Sequence, residues 1–397
     1  MRDSSDHPPM LNKYRLYCPG PTPVPEEVLA KCAEPQLHHR TPAFRKTLES
    51  VTGKLQTIFK TTQPVYTITG SGSSAFEAGL LAVLKPGMRV LNVANGKFSE
   101  RWSTMAKQYG GDVTDITKDY GDHVTPADIQ VHINQDGTPP DLFIVTHSET
   151  STGAVCDLKA VLDKLRDHAP DCLIMVDGIT SIGALPFDMD GWGVDIAITG
   201  SQKAMMLPPG LGFASLSERA WAAYDANDRK DNFYLDLGAY RTSYENWDTP
   251  YTPNNQLINA ADVSLGMIVD EGLDTIWQRT EACAEAVRSG VTALGLELFA
   301  MMPGNSVSSV RYPAGVENPD KAFRLAIRKR FNIHLAGGQG SMKPELFRIN
   351  HMGYTDVFEA ISVIAAIEYG LAECGKDITF GKGVAAAQAA AAAVLNR

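Results

Sequence analysis

The sequence predicts a mixed α/β fold in which helices cover both faces of a mostly parallel β-sheet. From about residue 64, short apolar runs alternate with longer amphipathic stretches. Strands that alternate with helices of this length form βαβ units, so the strands should be parallel and buried on both faces. The chain has 397 residues, of which 44% are hydrophobic and 21% charged, which is ordinary for a globular protein with a sizeable core.

The predicted elements of the first two thirds follow in chain order. Residues 1–17 have no structural period, and we expect a flexible or partner-clasping arm there. A proline-rich turn at 19–23 leads into a helix that begins near residue 24. Six strands are predicted, at 65–69, 89–93, 141–146, 173–177, 196–199 and 212–215. Helices are predicted between several of them, at 74–84, 98–109, 158–168 and 218–227.

The texture of the sequence changes after about residue 255. Long helices are predicted at 256–276 and 280–294, and a smaller α+β segment follows to about residue 380. The Ala-rich stretch 384–394 has high helix propensity but little apolar bulk, so we expect a frayed, solvent-facing helix. The expected organisation is an arm at 1–17, a large domain at 18–265, a small C-terminal domain at 266–382 and a tail at 383–397.

The charge balance and the cysteines argue against several classes of protein. The formal net charge is −10, and the basic stretch at 324–330 has apolar residues at helical spacing, which indicates one exposed helix face, so no nucleic-acid partner is expected. The chain has no apolar run long enough to span a membrane, and its N-terminus lacks the apolar stretch of a secretory signal. The six cysteines are dispersed, which favours reduced thiols in a cytoplasmic protein and no metal site.

A Gly/Ser-rich turn at 69–74 follows a predicted strand and opens a predicted helix. Backbone N–H groups and hydroxyls converge at such a turn, and the helix dipole favours negative charge there. The turn lacks both the Walker A lysine and the dinucleotide fingerprint. It is therefore a candidate phosphate-binding turn, although a simple helix cap would have the same pattern.

Two further residues lie at or just after the ends of predicted buried strands. Asp177 ends the strand predicted at 173–177, at the sheet edge where α/β folds bind ligands, although it could also cap the next helix. Lys203 follows the strand predicted at 196–199 in a Gly/Ser/Pro-rich loop, where burial would make it a nucleophile toward aldehydes. Alone it could be an ordinary surface lysine. Together, a phosphate turn, an acid for a pyridinium nitrogen and a Schiff-base lysine are what pyridoxal 5′-phosphate (PLP) requires.

These and other segments resemble the class V aminotransferases of PLP fold type I, most closely the alanine–glyoxylate and serine–glyoxylate aminotransferase group. The matching segments occur in family order over residues 18–360. They are Pro-Gly-Pro at 19–21, Gly-Ser-Gly-Ser at 70–73, Asn-Gly-Lys-Phe at 95–98, His-Ser-Glu-Thr-Ser-Thr-Gly at 147–153, Val-Asp at 176–177, Thr-Gly-Ser-Gln-Lys at 199–203, Pro-Pro-Gly-Leu at 208–211, Pro-Tyr-Thr-Pro at 250–253 and Leu-Phe-Arg-Ile at 346–349. The resemblance implies a seven-stranded, mostly parallel sheet in the large domain, a smaller α+β domain and a homodimer.

The resemblance also implies roles for the residues that contact the PLP ring and the substrate. Lys203 would be the Schiff-base lysine and would shuttle a proton between the substrate α-carbon and the cofactor. Asp177 would pair with the pyridinium nitrogen, and Thr150 would reach the ring oxygen. Phe98 would stack on the ring, although it could instead be a core aromatic. Arg348 would bind the substrate α-carboxylate, which suits its planar, bidentate guanidinium.

The cofactor phosphate is assigned on the same resemblance. Ser71, Gly72 and Ser73 match the family's phosphate-binding turn, with Gln202 nearby. Thr252 matches a position that reaches the phosphate from the neighbouring subunit, so each active site would need two chains.

The implied reaction is a ping-pong transamination by a Schiff-base mechanism from a small amino acid, serine or alanine, to glyoxylate or another small 2-oxo acid. Aspartate as the donor would need a second cation, for which Arg40 is a candidate unless it pairs structurally. A desulfurase or lyase of the same superfamily is disfavoured, because residues 337–341 contain no cysteine and Gln202 stands where desulfurases have histidine. A catalytically idle relative would have no need of Lys203, Asp177 and Arg348.

Overall fold

The computed structural model describes residues 12–136, 138–229 and 232–397. Its strands are β1 (Arg15–Leu16), β2 (Val65–Thr69), β3 (Arg89–Ala94), β4 (Asp112–Thr117), β5 (Leu142–Thr146), β6 (Ser148–Glu149), β7 (Ala154–Val155), β8 (Leu173–Asp177), β9 (Ile196–Gly200), β10 (Leu211–Leu216), β11 (Val307–Arg311), β12 (Ile333–His334), β13 (Ala336–Gly337) and β14 (Leu346–Asn350). Its α-helices are α1 (Glu26–Cys32), α2 (Pro42–Phe59), α3 (Gly72–Val83), α4 (Ser99–Gln108), α5 (Pro126–Asp136), α6 (Leu158–His168), α7 (Glu218–Asp225), α8 (Leu237–Tyr244), α9 (Asn255–Glu271), α10 (Leu273–Ala293), α11 (Ala326–Phe331), α12 (Val357–Glu373) and α13 (Lys382–Leu395). A π-helical turn at Asp320–Leu325 runs into α11, and a short 3-10 helix spans Gly340–Met342.

A seven-stranded sheet forms the centre of the fold, in the order β2-β10-β9-β8-β5-β3-β4. Strand β10 runs antiparallel to both of its neighbours, and the other strands are parallel to one another. The predicted fold class is therefore confirmed, and each of the six predicted strands is present. Strand β4 had no candidate, because it lies at the sheet edge and most of its residues are partly or fully exposed.

The register of the parallel strands places the predicted site residues at one edge of the sheet. Thr146 at the end of β5 pairs with Asp177 at the end of β8, and Asp177 in turn pairs with Ile198 of β9. Helix α3 begins just beyond β2, and Lys203 lies just beyond β9. Residues from distant parts of the sequence thus meet at the carboxyl ends of the strands, where open α/β sheets bind ligands.

The buried apolar residues form two large hydrophobic cores. The first surrounds the seven-stranded sheet and contains buried residues between positions 28 and 276. The second is built mainly from α10, α12, α13 and the strands β11 and β14, and it includes Tyr17. The expected domain division at residue 265 falls inside α9 and stays a prediction.

The N-terminal segment is partly integrated into the fold. Residues 1–11 of the predicted arm lie outside the described residues. Beyond them, Arg15 and Leu16 form a short parallel ladder with Ile333 and His334 of β12. This end of the arm is therefore held by backbone hydrogen bonds.

The helix predicted at 256–276 is shorter than expected. Gly272 has a φ of +81°, which an L-residue with a side chain rarely adopts, and it separates α9 from α10. Because this break lies within the predicted 256–276 helix, α9 ends and α10 begins at residues other than those predicted.

The Ala-rich tail forms the predicted helix, but the expectation that it is frayed and solvent-facing is wrong. Ala387 and Ala391 are buried where α13 packs against the second core. A Cβ on Gly383 would lie 2.8 Å from Leu294 Cδ1, so small residues allow the helices to approach closely. The buried Glu368 carboxylate accepts hydrogen bonds from the Gly381 and Gly383 N–H groups, each at 2.8 Å, and so holds the start of α13.

Among the described helices, none has the length and hydropathy needed to cross a bilayer.

Candidate active site

Asp177 is a buried carboxylate at the end of β8. Its Oδ2 accepts a hydrogen bond from Trp102 Nε1 at 2.8 Å, and its Oδ1 accepts one from the Ile179 N–H at 2.9 Å. Burial raises the pKa of Asp177 to about 6, while these two hydrogen bonds act in the opposite direction. A positive charge placed beside the carboxyl group would favour its ionised form, as a protonated ring nitrogen does.

Lys203 lies in the loop after β9 and is also buried, with 7% of its surface exposed. Its Nζ donates to the Pro19 carbonyl oxygen and, at 3.4 Å, to Thr150 Oγ1. Burial and, to a smaller extent, the positive charge of Arg348 together lower the pKa of Lys203 to about 7. A large fraction of this lysine is therefore a neutral amine at neutral pH, as a nucleophile requires.

The turn at 19–22 covers Lys203. A Cβ on Gly20, which has a φ of +144°, would lie 2.7 Å from Lys203 Cε, so this close approach requires glycine. Thr22 Oγ1 donates to the Lys203 carbonyl oxygen at 2.9 Å and fixes the turn on the lysine loop.

Arg348 on β14 points toward the same site and is 6% exposed. Its guanidinium donates to Thr150 O at 2.8 Å from Nη1, and to Gly337 O at 3.1 Å from Nε and 2.8 Å from Nη2. Each of these acceptors is a neutral carbonyl, and no carboxylate of the described residues forms an ion pair with this arginine. Burial lowers the pKa of Arg348, but a guanidinium stays charged in proteins. The site therefore contains a buried cation suited to a ligand carboxylate.

The Gly/Ser turn lies beside Gln202. A Cβ on Gly200 would meet Gln202 Oε1 at 3.0 Å and Gly72 N at 3.2 Å, so these groups converge on one spot at the start of α3. Gln202 Oε1 is buried and has no hydrogen-bond partner among the described residues. Ser73 Oγ accepts a hydrogen bond from Arg101 Nη1 at 3.3 Å, which brings a cation to the same end of the helix. This arrangement favours an anion.

Thr150 and Phe98 lie on two neighbouring loops. The Thr150 hydroxyl is hydrogen-bonded to the Thr180 hydroxyl and to Lys203. Phe98 is half-buried at the start of α4, with the Arg101 guanidinium 5.2 Å from its ring centre. Glu149 connects the two loops through its carboxylate.

The remaining two candidates are Thr252 and Arg40. Thr252 is exposed in the turn before α9, where the Asn254 N–H donates to Thr69 Oγ1 at 2.8 Å. Arg40 forms an ion pair with Asp248 at 2.5 Å and also donates to Thr249 O at 3.0 Å. Arg40 is therefore engaged structurally.

Two residues that contact the predicted groups were not identified from the sequence. Trp102 is fully buried, stacks on Phe76 with ring centres 3.8 Å apart, and donates to Asp177. Glu149 is fully buried and holds the loops of Phe98 and Thr150. The sequence offered one signal for the first: a buried tryptophan needs an acceptor for its N–H group, and Trp102 is one helical turn beyond Phe98.

The chain is similar in sequence and in structure to known proteins. A sequence model of the family described as Aminotransferase class-V matches residues 15–360. The soluble hydrogenase 42 kDa subunit of Anabaena cylindrica is 40% identical over 382 residues, which are 95% of this chain and 98% of that protein. L-Aspartate–glyoxylate aminotransferase of Paracoccus denitrificans is 36% identical, with 96% of each chain covered. The crystal structure of alanine–glyoxylate aminotransferase from Nostoc sp. superposes with a TM-score of 0.84 at 29% identity, covering 92% of this chain and 97% of that one.

Proposed function

The chain belongs to the class-V aminotransferases, and from this premise we propose that it transfers an amino group from serine or alanine to glyoxylate or another small 2-oxo acid with PLP as its cofactor. The observation that supports this most strongly is a buried Lys203 with a pKa lowered to about 7, near a buried Arg348 whose acceptors among the described residues are carbonyl oxygens. A nucleophilic amine beside an unpaired cation suits amino acids and 2-oxo acids, which all contain a carboxylate.

The residues present fit PLP. The Gln202 amide can turn by 180° so that its NH2 group faces a phosphate beside Gly72 N at the start of α3. Ser71 and Ser73, which adjoin Gly72 in the turn, would add their hydroxyls. Asp177 is a buried acid whose two oxygens are oriented by hydrogen bonds. We assign Gln202 and the turn at the start of α3 to the cofactor phosphate, and Asp177 to the ring nitrogen.

PLP supplies, when bound, an aldehyde that combines with amines and a protonated ring that withdraws electrons from the substrate α-carbon. In the mechanism that we propose, Lys203 Nζ would take up the proton of that α-carbon and pass it on to the cofactor. Asp177 would keep the ring nitrogen protonated. Phe98 would pack on the ring, and the Thr150 hydroxyl would donate to the ring oxygen.

Arg348 orients both substrates by their α-carboxylates. Because one guanidinium serves the donor and the acceptor, the donor product has to leave before the acceptor binds. We therefore expect ping-pong kinetics, with parallel lines in double-reciprocal plots.

Two alternatives are less well supported. Aspartate as donor would need a second cation, and Arg40 would have to leave Asp248 and Thr249 to supply it. A cyanobacterial relative has a hydrogenase-subunit name, but lysine, aspartate and arginine in this arrangement are the groups that amine transfer uses.

We further propose that the protein is a cytoplasmic homodimer in which Thr252 of the partner subunit completes the phosphate site. Thr252 is exposed, and next to it lies an exposed aromatic cluster. Phe233 is 80% exposed and Tyr234 42%, and both rings contact Tyr251 with centres 5.3 and 5.2 Å apart. Burial of this apolar surface would favour association with a second copy.

A panel of single half-reactions tests the substrates. Serine, alanine, aspartate and aminoethylphosphonate are each mixed with the PLP-loaded protein, and loss of the visible absorbance is followed. We expect the fastest loss with serine or alanine, and none with Lys203→Ala. Fastest reaction with aspartate would overturn the proposed donor, and no reaction with any amine would overturn transamination.

A further inference from the structure

We propose that Glu149 is a positioning residue of this site: its buried carboxylate fixes the loop that contains Phe98 against the loop that contains Thr150. The inference rests on the proposed function, because it concerns the same site. It assigns a task to a residue that has no role in the reaction steps proposed above.

The carboxylate uses both oxygens to join the loops. Oε2 accepts hydrogen bonds from the backbone N–H groups of Phe98 at 3.2 Å and Ser99 at 2.9 Å, at the start of α4. Oε1 accepts from the Ser151 N–H at 2.9 Å and from Ser151 Oγ at 2.7 Å. Ser151 Oγ in turn accepts from the Lys97 N–H at 3.0 Å, which ties the loops together a second time.

Glu149 is fully buried, and no lysine or arginine of the described residues forms an ion pair with it. A buried carboxylate without a cation is costly unless several donors satisfy it, and here four donors do. The loop at Gly96 packs directly on the side chain, since a Cβ at that position would lie 2.3 Å from Glu149 Cγ. The Phe98 loop therefore has little freedom to move relative to Glu149.

The consequence for the site runs through Thr150, which lies between Glu149 and Ser151 in the chain. The Thr150 carbonyl accepts from Arg348 at 2.8 Å, and its hydroxyl accepts from Lys203 at 3.4 Å. A shift of Glu149 would thus move Phe98, the aromatic proposed to pack on the cofactor ring. It would also move Thr150, which contacts both Lys203 and Arg348. The Glu149 charge also raises the pKa of Lys203, as does Asp177, against the effects of burial and of Arg348.

The test compares Glu149→Gln with Glu368→Gln. Glu368 is a matched control, because it too is a buried glutamate that accepts backbone N–H groups at the start of a helix, but in the second core. PLP affinity is measured by titrating the apoprotein and following its tryptophan fluorescence. The pH midpoint of the visible absorbance change is measured on the PLP-loaded protein.

We expect Glu149→Gln to weaken PLP binding about tenfold or more. The NH2 group of the new glutamine would replace one accepting oxygen and face the two donors that this oxygen now satisfies. The pH midpoint should also shift downward, because a nearby negative charge is lost. Glu368→Gln should lower the thermal midpoint and leave PLP affinity and the pH midpoint at their wild-type values. If Glu149→Gln does not fold, Ser151→Ala, which removes two hydrogen bonds of the same junction, should weaken PLP binding in the same direction.

The inference is overturned if Glu149→Gln, or Ser151→Ala in its place, binds PLP as the wild type does. It is also overturned if Glu368→Gln changes PLP affinity and the pH midpoint equally. A wild-type protein that binds no PLP would overturn both this inference and the proposed function. Wild-type binding with an unaffected Glu149→Gln variant would remove the inference alone.

Discussion

At the scale of single residues, the site depends on what burial does to charge. Lys203 and Asp177 are both buried, and burial moves both pKa values toward neutrality, to about 7 and about 6. The opposite charges of the two groups oppose these shifts. The free Lys203 amine can therefore change its protonation state near neutral pH, as proton transfer requires.

A pH dependence follows for the lysine. Because its pKa is lowered from 10.5 to about 7, the neutral amine predominates above pH 7 and is lost below it. The rate at which the apoprotein takes up PLP should therefore rise as the pH passes through about 7 and then level off. Stopped-flow absorbance between pH 5.5 and pH 10 measures this rate, and a rate that still rises steeply up to pH 10 would contradict a buried, perturbed lysine.

Lys203 and Asp177 could be predicted because each lies at or just beyond the carboxyl end of a recognisable buried strand. Trp102 and Glu149 could not, since their partners lie far away in the sequence: Trp102 is 75 residues from Asp177, and Glu149 is 50 residues from Ser99. Such pairs depend on the order of strands in the sheet, which a local pattern does not contain.

At the scale of elements, α13 shows how small side chains can anchor a helix. Alanines offer little apolar area, but they allow α13 to lie close to its neighbours, so many weak contacts form. The Glu368 carboxylate then satisfies the first N–H groups of the helix. The sequence predicted the helix from propensity, whereas its packing depends on a complementary surface elsewhere in the chain.

A pair of substitutions in α13 tests this packing. Ala387 is buried and Ala389 is exposed on the same helix. Ala387→Glu should lower the free energy of unfolding by about 2 kcal/mol or more, because it buries an unpaired charge, whereas Ala389→Glu should change it by less than about 0.5 kcal/mol. Urea unfolding followed by circular dichroism measures both, and equal effects would indicate a solvent-facing helix.

Other elements show the same division between local and distant information. A glycine is a local sequence signal for a helix break, but Gly272 alone did not reveal that α9 ends there. Its positive φ is known only from the structure. Strand β4 lacks the apolar run of a central strand because one of its edges has no neighbour.

At the scale of the whole molecule, the two cores contribute different groups to one site. Lys203 and Asp177 come from the seven-stranded sheet of the first core, and Arg348 comes from β14 of the second. The hydrogen bond from Arg348 to the Thr150 carbonyl oxygen joins these two parts of the site. The position of the arginine beside the lysine is therefore a property of the complete fold, although family resemblance named both residues.

Hybrid dimers test whether two chains share each site. Lys203→Ala and Thr252→Glu should each have low activity alone. If Thr252 acts across the dimer, mixed dimers contain one site with both native residues, and an equal mixture should recover about a quarter of wild-type activity. No recovery after verified subunit exchange would indicate that Thr252 acts within its own chain or not at all.

The most direct test of transamination at Lys203 follows a borohydride-fixed label on that residue. The PLP-loaded protein is reduced with borohydride alone, after an amino donor, and after donor followed by glyoxylate, and the labelled peptide is identified by mass spectrometry. We predict a label on Lys203 in the first sample, its loss after serine or alanine, and its return after glyoxylate with one equivalent of glycine formed per restored site. A label on another residue, or a Lys203 label that no amine removes, would contradict the account.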